Sequence, residues 1–250
     1  MSESRGWLLA LDTATTSVVV AAGAPDGQVL ATDTIAGRYR HSQELLPAIA
    51  ALVERTGLRL ADLAGIVVGT GPGAFTGLRV GLATAKTLAH ELGRPVVGIA
   101  TSDALLAAAG DSGTGGQVTL WLPSGPRDRV AVVAGRSPEV IPGGDGGAAT
   151  GEEARTGPES APDSGAAPEA PAGRIDVAID LEGRASVAAL ARGRAALERL
   201  PGTLLELGAA RLAAGEQDDP ERLVPRYASQ PRGAPGPEPE GGVAWSRDPR

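Results

Sequence analysis

The chain of 250 residues has no cysteine, one phenylalanine, one methionine and an aromatic content of only 2%. The missing thiols exclude disulfides, zinc–thiolate centres and thiol catalysis. Its two histidines, His41 and His90, fall in different predicted elements, so the sequence predicts no metal site and no catalytic histidine pair. With so few aromatics, a core must be made from Leu, Val, Ile and Ala, which the 42% hydrophobic content permits. Lys86 is the single lysine. Nearly all basic charge is arginine, and with 36 Gly and 20 Pro this reads as GC-rich coding rather than as function. No apolar run reaches the length of a membrane span, and residues 1–6 carry no signal-peptide core. The expectation is a cytoplasmic chain with no membrane contact. A net charge of -7 argues against a broad nucleic-acid-gripping surface, while a local basic patch stays open.

What the chain does have is a glycine-rich signal at residues 66–81. A short apolar run, Ile66-Val67-Val68, leads into Gly69-Thr70-Gly71-Pro72-Gly73 and then a helix that starts near Thr76. Glycine loses more backbone entropy on folding than any other residue, so such a cluster implies close approach of backbone to something else. Two uses fit: an anion at a helix N-terminus, or tight packing. Gly77, Gly81 and Ala85 recur every four residues and form one small-residue face, which favours packing against another helix. Around this signal the pattern predicts strands over 7–11, 17–23 and 29–35. Ser42 is placed to cap a helix over 42–55 that ends at Gly57. A strand over 66–69, a helix over 76–92, a strand over 96–99 and a helix over 101–109 follow. Three antiparallel strands followed by helix–strand repeats make a mixed α/β layer fold with buried parallel strands.

The second half is sparser. A hairpin is expected over 118–122 and 129–134, a strand over 174–179, and two helices over 187–200 and 203–214. Residues 137–173 are Gly, Pro, Ala, Glu, Asp, Ser and Thr with almost nothing to bury, and read as a low-complexity insert. Residues 231–250 read as a Pro/Gly-rich disordered tail. The domain reading is a first lobe over 1–110 and a second lobe over 111–230, interrupted by the insert.

The candidate sites carry alternatives. Asp12 and Thr13, between two strands, can hold a phosphate through Mg²⁺ and backbone N–H groups, or simply close a turn through side-chain-to-backbone bonds. Gly71 and Gly73 match neither the Walker nor the Rossmann pattern. With Asp12 and Thr13 they are a vestigial phosphate site at most. Arg79 and Lys86, two turns apart, fit a partner-facing basic strip and a solvated face equally. His41 and His90 read as surface residues. Gly143 to Gly147 lie in the insert with no flanking strand or helix, which excludes a nucleotide loop.

Four segments carry a family resemblance: 9–15 (Leu-Ala-Leu-Asp-Thr-Ala-Thr), 41–47 (His-Ser-Gln-Glu-Leu-Leu-Pro), 68–86 around Gly-Thr-Gly-Pro-Gly-Ala-Phe-Thr-Gly-Leu-Arg-Val-Gly, and 95–99 (Pro-Val-Val-Gly-Ile). In order and spacing they resemble the TsaB (YeaZ) family, accessory subunits of bacterial tRNA threonylcarbamoyladenosine synthesis. The likeness covers residues 7–110 and returns weakly over 204–227 at Arg211-Leu212 and Pro225-Arg226-Tyr227.

The resemblance implies an actin-like ATPase (ASKHA) fold, α/β, with two related lobes of mixed sheets flanked by helices, the second reduced. It implies a non-catalytic scaffold with no catalytic residue and weak or no ATP and Mg²⁺ binding. The scaffold pairs with a TsaD-like catalytic subunit and a TsaE-like ATPase and meets tRNA only through that complex. Whether it is a homodimer alone stays open. The partner interface it implies involves the first-lobe helices, with Ser42, Leu45, Gly77, Gly81 and Ala85. The metal-binding histidines of TsaD follow the strand matching 96–99, where this chain reads Ala100-Thr101-Ser102-Asp103. Pro123-Ser124-Gly125-Pro126-Arg127 replaces the family's usual Asp-Ala-Arg stretch. Two alternatives remain: a small actin-like kinase or ATPase, for which Asp180-Leu181-Glu182-Gly183 is a poor adenosine turn, and a metalloprotease-like hydrolase, disfavoured for want of metal ligands.

Overall fold

A computed structural model of the chain describes residues 6–36, 40–110, 117–124, 128–141 and 174–227. Within them run β1 (Trp7–Asp12), β2 (Ser17–Gly23), β3 (Val29–Ala36), α1 (His41–Thr56), β4 (Leu63–Gly69), α2 (Phe75–Leu92), β5 (Val96–Ile99) and α3 (Thr101–Gly110). The second half holds β6 (Gln117–Ser124), β7 (Asp128–Val133), β8 (Glu139–Ile141), β9 (Arg174–Ala178) and α4 (Val187–Ala213). The strands form two sheets, ordered β3-β2-β1-β4-β5 and β8-β7-β6-β9. In each, a central strand pairs antiparallel with the next strand in sequence and parallel with the first strand to return after it. Among the described residues the second sheet thus repeats the first sheet's plan without its last strand, the actin-like architecture with one lobe reduced.

Strand alternation explains the layering. On β1, Trp7, Leu9 and Leu11 enter one core with Leu45, Leu52 and Leu82 of α1 and α2. Leu8 and Ala10 enter the other, shared with Leu105 of α3, Leu120 and Val177 of the second sheet, and Leu200 and Leu204 of α4. The first sheet is therefore covered on both faces, which is why β1 and β2 are buried along their whole length. Helices α3 and α4 lie in the core between the two sheets.

Three expectations need correction. α1 begins at His41 with Arg40 before it and no side-chain cap, so Ser42 caps nothing. The two helices expected over 187–200 and 203–214 are one continuous helix, α4, with Pro201 inside it. A proline there removes one backbone hydrogen bond, but Ala196, Leu200, Leu204, Leu205 and Ala209 form one buried seam that both sheets hold in line. Finally, β8 pairs with β7 inside the segment read as a featureless insert; residues 142–173 of that insert, and the tail 231–250, lie outside the described residues.

After α4 the chain turns back over the first sheet. Asp218 N–H donates to Val96 O (2.8 Å), Gly98 N–H donates to the Asp218 carboxylate (2.7 Å), and Arg211 donates to Gly98 O (2.9 Å). Farther on, Arg226 N–H donates to Thr70 O (2.7 Å). The first three contacts occupy outward backbone groups of β5, an edge strand that would otherwise offer unpaired donors and acceptors, and the fourth caps the end of β4. Residues 216–227, assigned by sequence to the second lobe, thus lie against the first. Burial alone would raise the Asp218 carboxyl, but the Arg211 guanidinium and the Gly98 N–H outweigh it and hold it below the usual range.

Replacing Asp218 by alanine leaves the Gly98 N–H without its acceptor and Arg211 without its ion-pair partner. The expected loss of unfolding free energy is about 1–2 kcal/mol, kept modest by partial exposure of the pair. Urea unfolding measures it; an unchanged midpoint would show that the edge is held by other contacts.

Candidate functional site

The residues singled out by sequence meet at the turn between β1 and β2, residues 12–17. Asp12 is completely buried at the end of β1. One of its carboxylate oxygens accepts from Ala14 N–H (2.8 Å) and the other from the Thr101 hydroxyl at the start of α3. The Thr101 oxygen in turn accepts from Gly71 N–H (3.0 Å). Burial pushes the Asp12 carboxyl up from 3.8 to about 6, and the Thr101 hydroxyl, the Ala14 N–H and nearby His41 offset part of that rise.

The glycine loop and α2 press directly on this turn. Ala74 N–H donates to Ala14 O (2.6 Å), and the Thr13 hydroxyl donates to Gly77 O (2.7 Å). A Cβ on Gly73 would stand 2.1 Å from Ala14 O, one on Gly77 2.0 Å from Thr13 O, and one on Gly81 2.3 Å from the Thr13 hydroxyl oxygen. The first two are backbone-to-backbone approaches and the third a backbone-to-hydroxyl one, and each needs the missing Cβ of glycine. The space in which a phosphate would meet the glycine loop is filled by the protein's own turn. Asp12, Thr13, Gly71 and Gly73 thus lie together, with Asp12 bonded to Ala14 and Thr101, Thr13 to Gly77, Gly71 to Thr101, and Gly73 packed on Ala14.

The expected interface residues divide. Ser42 is exposed. Leu45 is fully buried in the core, and Gly77, Gly81 and Ala85 are buried on the inner side of α2. The small-residue stripe faces the chain's own β1–β2 turn, so the geometry assigns it to internal packing. His41 is also a correction: read as a surface residue, it is 6% exposed, and its Nε2 donates to Thr15 O (2.9 Å).

Two residues that matter at the turn carried no signal of their own. Thr101 sits where a helix start alone was readable, and its partner Asp12 is 89 residues away. Asp180, after β9, accepts from Thr16 N–H across 164 residues at 2.7 Å. Sequence had marked Asp180 only as part of a poor adenosine turn. Among the described residues no group of three or more His, Asp or Glu side chains is placed to hold a metal ion.

Comparison with known proteins follows the same outline. The family model "TsaD: tRNA N6-adenosine threonylcarbamoyltransferase" matches residues 34–153. The Escherichia coli K12 protein TsaB, named for tRNA threonylcarbamoyladenosine biosynthesis, is 37% identical over 94 residues, 38% of this chain and 40% of that one. An uncharacterised Mycobacterium leprae protein is 41% identical over 101 residues, 39% of this chain and 28% of that one. The solved structure of YeaZ from Pseudomonas aeruginosa superposes with a TM-score of 0.60 at 26% identity, over 89% of this chain and 99% of that one. Over its first half the chain is similar in sequence to TsaB proteins, and over most of its length it is similar in fold to YeaZ. It spans less than half the length of the curated relatives it matches.

Two consequences of the buried turn can be measured. Asp12 keeps its proton to about pH 6 when folded but releases it near 3.8 when unfolded, so the native state binds more protons in between. Stability from this group is full below the unfolded value and is lost as pH rises through about 6. For a shift of about two units that is about 3 kcal/mol. Urea unfolding between pH 4 and 7 should show the decline in the wild type and a flatter profile in Asp12→Asn; parallel profiles would exclude Asp12 as its source. Gly81→Leu, which drives a side chain into Thr13, should destabilise the fold by at least about 1–3 kcal/mol. Thermal melts followed by circular dichroism test this, and an unchanged melt would place the stripe outside the core.

Proposed function

We propose that the chain acts in tRNA threonylcarbamoyladenosine synthesis as a non-catalytic scaffold that pairs with a TsaD-type catalytic subunit and, with a TsaE-type ATPase, supports transfer of a threonylcarbamoyl group to the tRNA adenosine beside the anticodon. It meets tRNA through the complex, in the cytoplasm. Similarity to proteins named for tRNA threonylcarbamoyladenosine biosynthesis supports the process. The observation that carries the non-catalytic part is the filled turn. Every side chain from Asp12 to Thr15 that could receive a phosphate or Mg²⁺ is bonded inside the lobe, and the glycine loop is seated on the Ala14 carbonyl.

The face that supports pairing is the outer side of α1. Ser42, Gln43, Leu46, Pro47, Ala50, Ala51 and Glu54 are exposed there, with Leu46 57% exposed. Leu46, Pro47, Ala50 and Ala51 give this face an apolar patch beside Gln43 and Glu54, which suits a partner surface of mixed apolar and polar character. On this reading the interface uses the outward residues of the first-lobe helices, with Leu45, Gly77, Gly81 and Ala85 as the supports beneath.

The test is reconstitution of threonylcarbamoyl transfer to tRNA from TsaD-type and TsaE-type subunits, with and without this chain, beside calorimetric titration of the chain with Mg·ATP and with the TsaD-type subunit. Transfer should require the chain, and Mg·ATP should bind it weakly or not at all. Leu46→Glu should weaken pairing by roughly tenfold to hundredfold while the protein stays folded. Tight, hydrolysed ATP in the isolated chain would favour the actin-like ATPase reading instead. Full transfer without the chain would remove the scaffold role.

A further inference from the structure

The chain has one phenylalanine and two tyrosines, and the phenylalanine meets one of the tyrosines at the surface. Phe75 opens α2, and Tyr227 ends the return of residues 216–227 over the first sheet. Their ring centroids lie 4.8 Å apart at an interplanar angle of 31°. Arg79, one turn into α2, stacks on Phe75 with its guanidinium carbon 3.9 Å from the ring centroid, and its Nε donates to the Tyr227 hydroxyl (3.0 Å). Ring and hydroxyl together fix the plane of an exposed guanidinium. Tyr227 is held in turn by the return segment: Leu223 is buried in the core that α1 and α2 cover, and Arg226 N–H donates to Thr70 O (2.7 Å).

This hold leaves the two terminal nitrogens of Arg79 unused. Arg40, Arg55 and Arg211 each place a terminal nitrogen on a carboxylate of this chain. Among the described residues neither terminal nitrogen of Arg79 has a hydrogen-bond or ion-pair partner. Capturing a long side chain normally costs rotamer entropy at the moment of binding; for Arg79 much of that ordering is already present in the free fold. Lys86, two turns farther along α2, makes no hydrogen bond or ion pair among the described residues. Of the two cations that the sequence leaves between a partner-facing strip and a solvated face, Arg79 is the preorganised one.

A planar guanidinium fork matches the paired oxygens of a carboxylate or a phosphate. The surroundings favour a carboxylate on a protein. RNA is gripped by several cations at once, and this chain carries a net charge of -7. Helices α1 and α2 start at the same rim, since His41 and Ala74 both bond the β1–β2 turn. At that rim α1 exposes Leu46 and Pro47, and the return segment exposes Val224 (61%). One oriented arginine among aromatic and apolar side chains is the composition of a protein–protein anchor.

We propose that Arg79 is the electrostatic anchor of the pairing face, and that an acidic side chain of the TsaD-type subunit seats its carboxylate on the terminal nitrogens of Arg79. The inference rests on the scaffold reading. It adds the chemistry of the partner group and gives the C-terminal return a part in pairing, because residues 223–227 hold the anchor in place.

The experiment titrates the full chain and three variants with the TsaD-type subunit by calorimetry, at low and at high salt, with circular dichroism melts as the check on folding. Arg79→Gln removes the charge, Arg79→Lys keeps the charge without the fork, and Tyr227→Phe keeps the ring without the hydroxyl that orients Nε. Arg79→Gln should weaken pairing at low salt by roughly tenfold to hundredfold and flatten its salt dependence. Arg79→Lys should restore the salt dependence but not the full affinity. Tyr227→Phe should fall between wild type and Arg79→Gln. The melts should stay together, because the guanidinium is exposed. A parallel titration with tRNA alone tests the phosphate alternative, and wild type and Arg79→Gln should behave alike in it. If wild type pairs and Arg79→Gln pairs equally well, the anchor is wrong and the scaffold reading stands. If wild type does not pair at all, both fall. Two other results would overturn the anchor: a melt lowered in Arg79→Gln in step with the lost affinity, which would make Arg79 an internal support, and tRNA binding that Arg79→Gln abolishes while pairing is unchanged, which would assign the residue to RNA.

Discussion

The structure depends on how the β1–β2 turn is held. His41 from the start of α1 holds Thr15 O; Ala74 and Gly77 at the start of α2 hold Ala14 and Thr13; Thr101 at the start of α3 holds Asp12; and Asp180 from the second sheet holds Thr16. Each of these contacts comes from a helix start or from the loop after a parallel strand, the same end of the first sheet to which β1 points. In open α/β sheets that end is where ligands bind, because helix N-termini and glycine loops converge there. Here the same convergence closes on protein groups. A turn with its own carboxylate buried, its Thr13 and Thr15 hydroxyls engaged and two loops seated upon it ties the starts of helices α1 and α2 together, and these helices carry the exposed face proposed to meet a partner.

The glycines show what is and is not readable in a sequence. That Gly69 to Gly81 must touch something closely follows from their cost and spacing alone. What they touch does not follow, because packing against another chain, packing against one's own lobe and cradling a phosphate all need the same missing Cβ. The answer lay in residues with no local pattern: Thr13 and Ala14 meet the stripe through backbone and hydroxyl atoms, which any turn possesses. The strands of the first sheet were legible from their apolar runs, and the helices from their periodic faces, since both depend on neighbours in sequence. His41 was misread for the opposite reason. Its burial depends on Thr15, which lies in a different element and shows no periodic relation to it.

The second half was harder to read because its order depends on the first. Pro201-Gly202 looks like a break between two helices. It is carried through because Leu200, Leu204 and Leu205 are buried on a seam between two sheets, and a lost backbone hydrogen bond is small against several buried leucines. β8 is short and lies in a run of unpromising composition, but it has β7 to pair with. Tertiary context overrides propensity in both cases, and it does so where an element contacts partners distant in sequence.

The reduced second sheet gives these observations a common cause. A full repeat of the first sheet would place a fifth strand beside β9, as β5 lies beside β4. The described second sheet ends at β9. Arg192 of α4 donates to Asp176 O on that strand (2.8 Å), so a side chain supplies one of the donors that another strand would provide. With the second lobe trimmed, its hold on the first rests on the apolar core around α3 and α4, on the return of residues 216–227 over β5, and on Asp180. The apolar core is broad and would tolerate small shifts of one sheet against the other. The hydrogen bonds are directional: those of Asp218 and Arg226 fix the return over the first sheet, Arg199 bonds Ala108 O of α3, and the Asp180 carboxylate on Thr16 N–H fixes which part of the second half faces the turn.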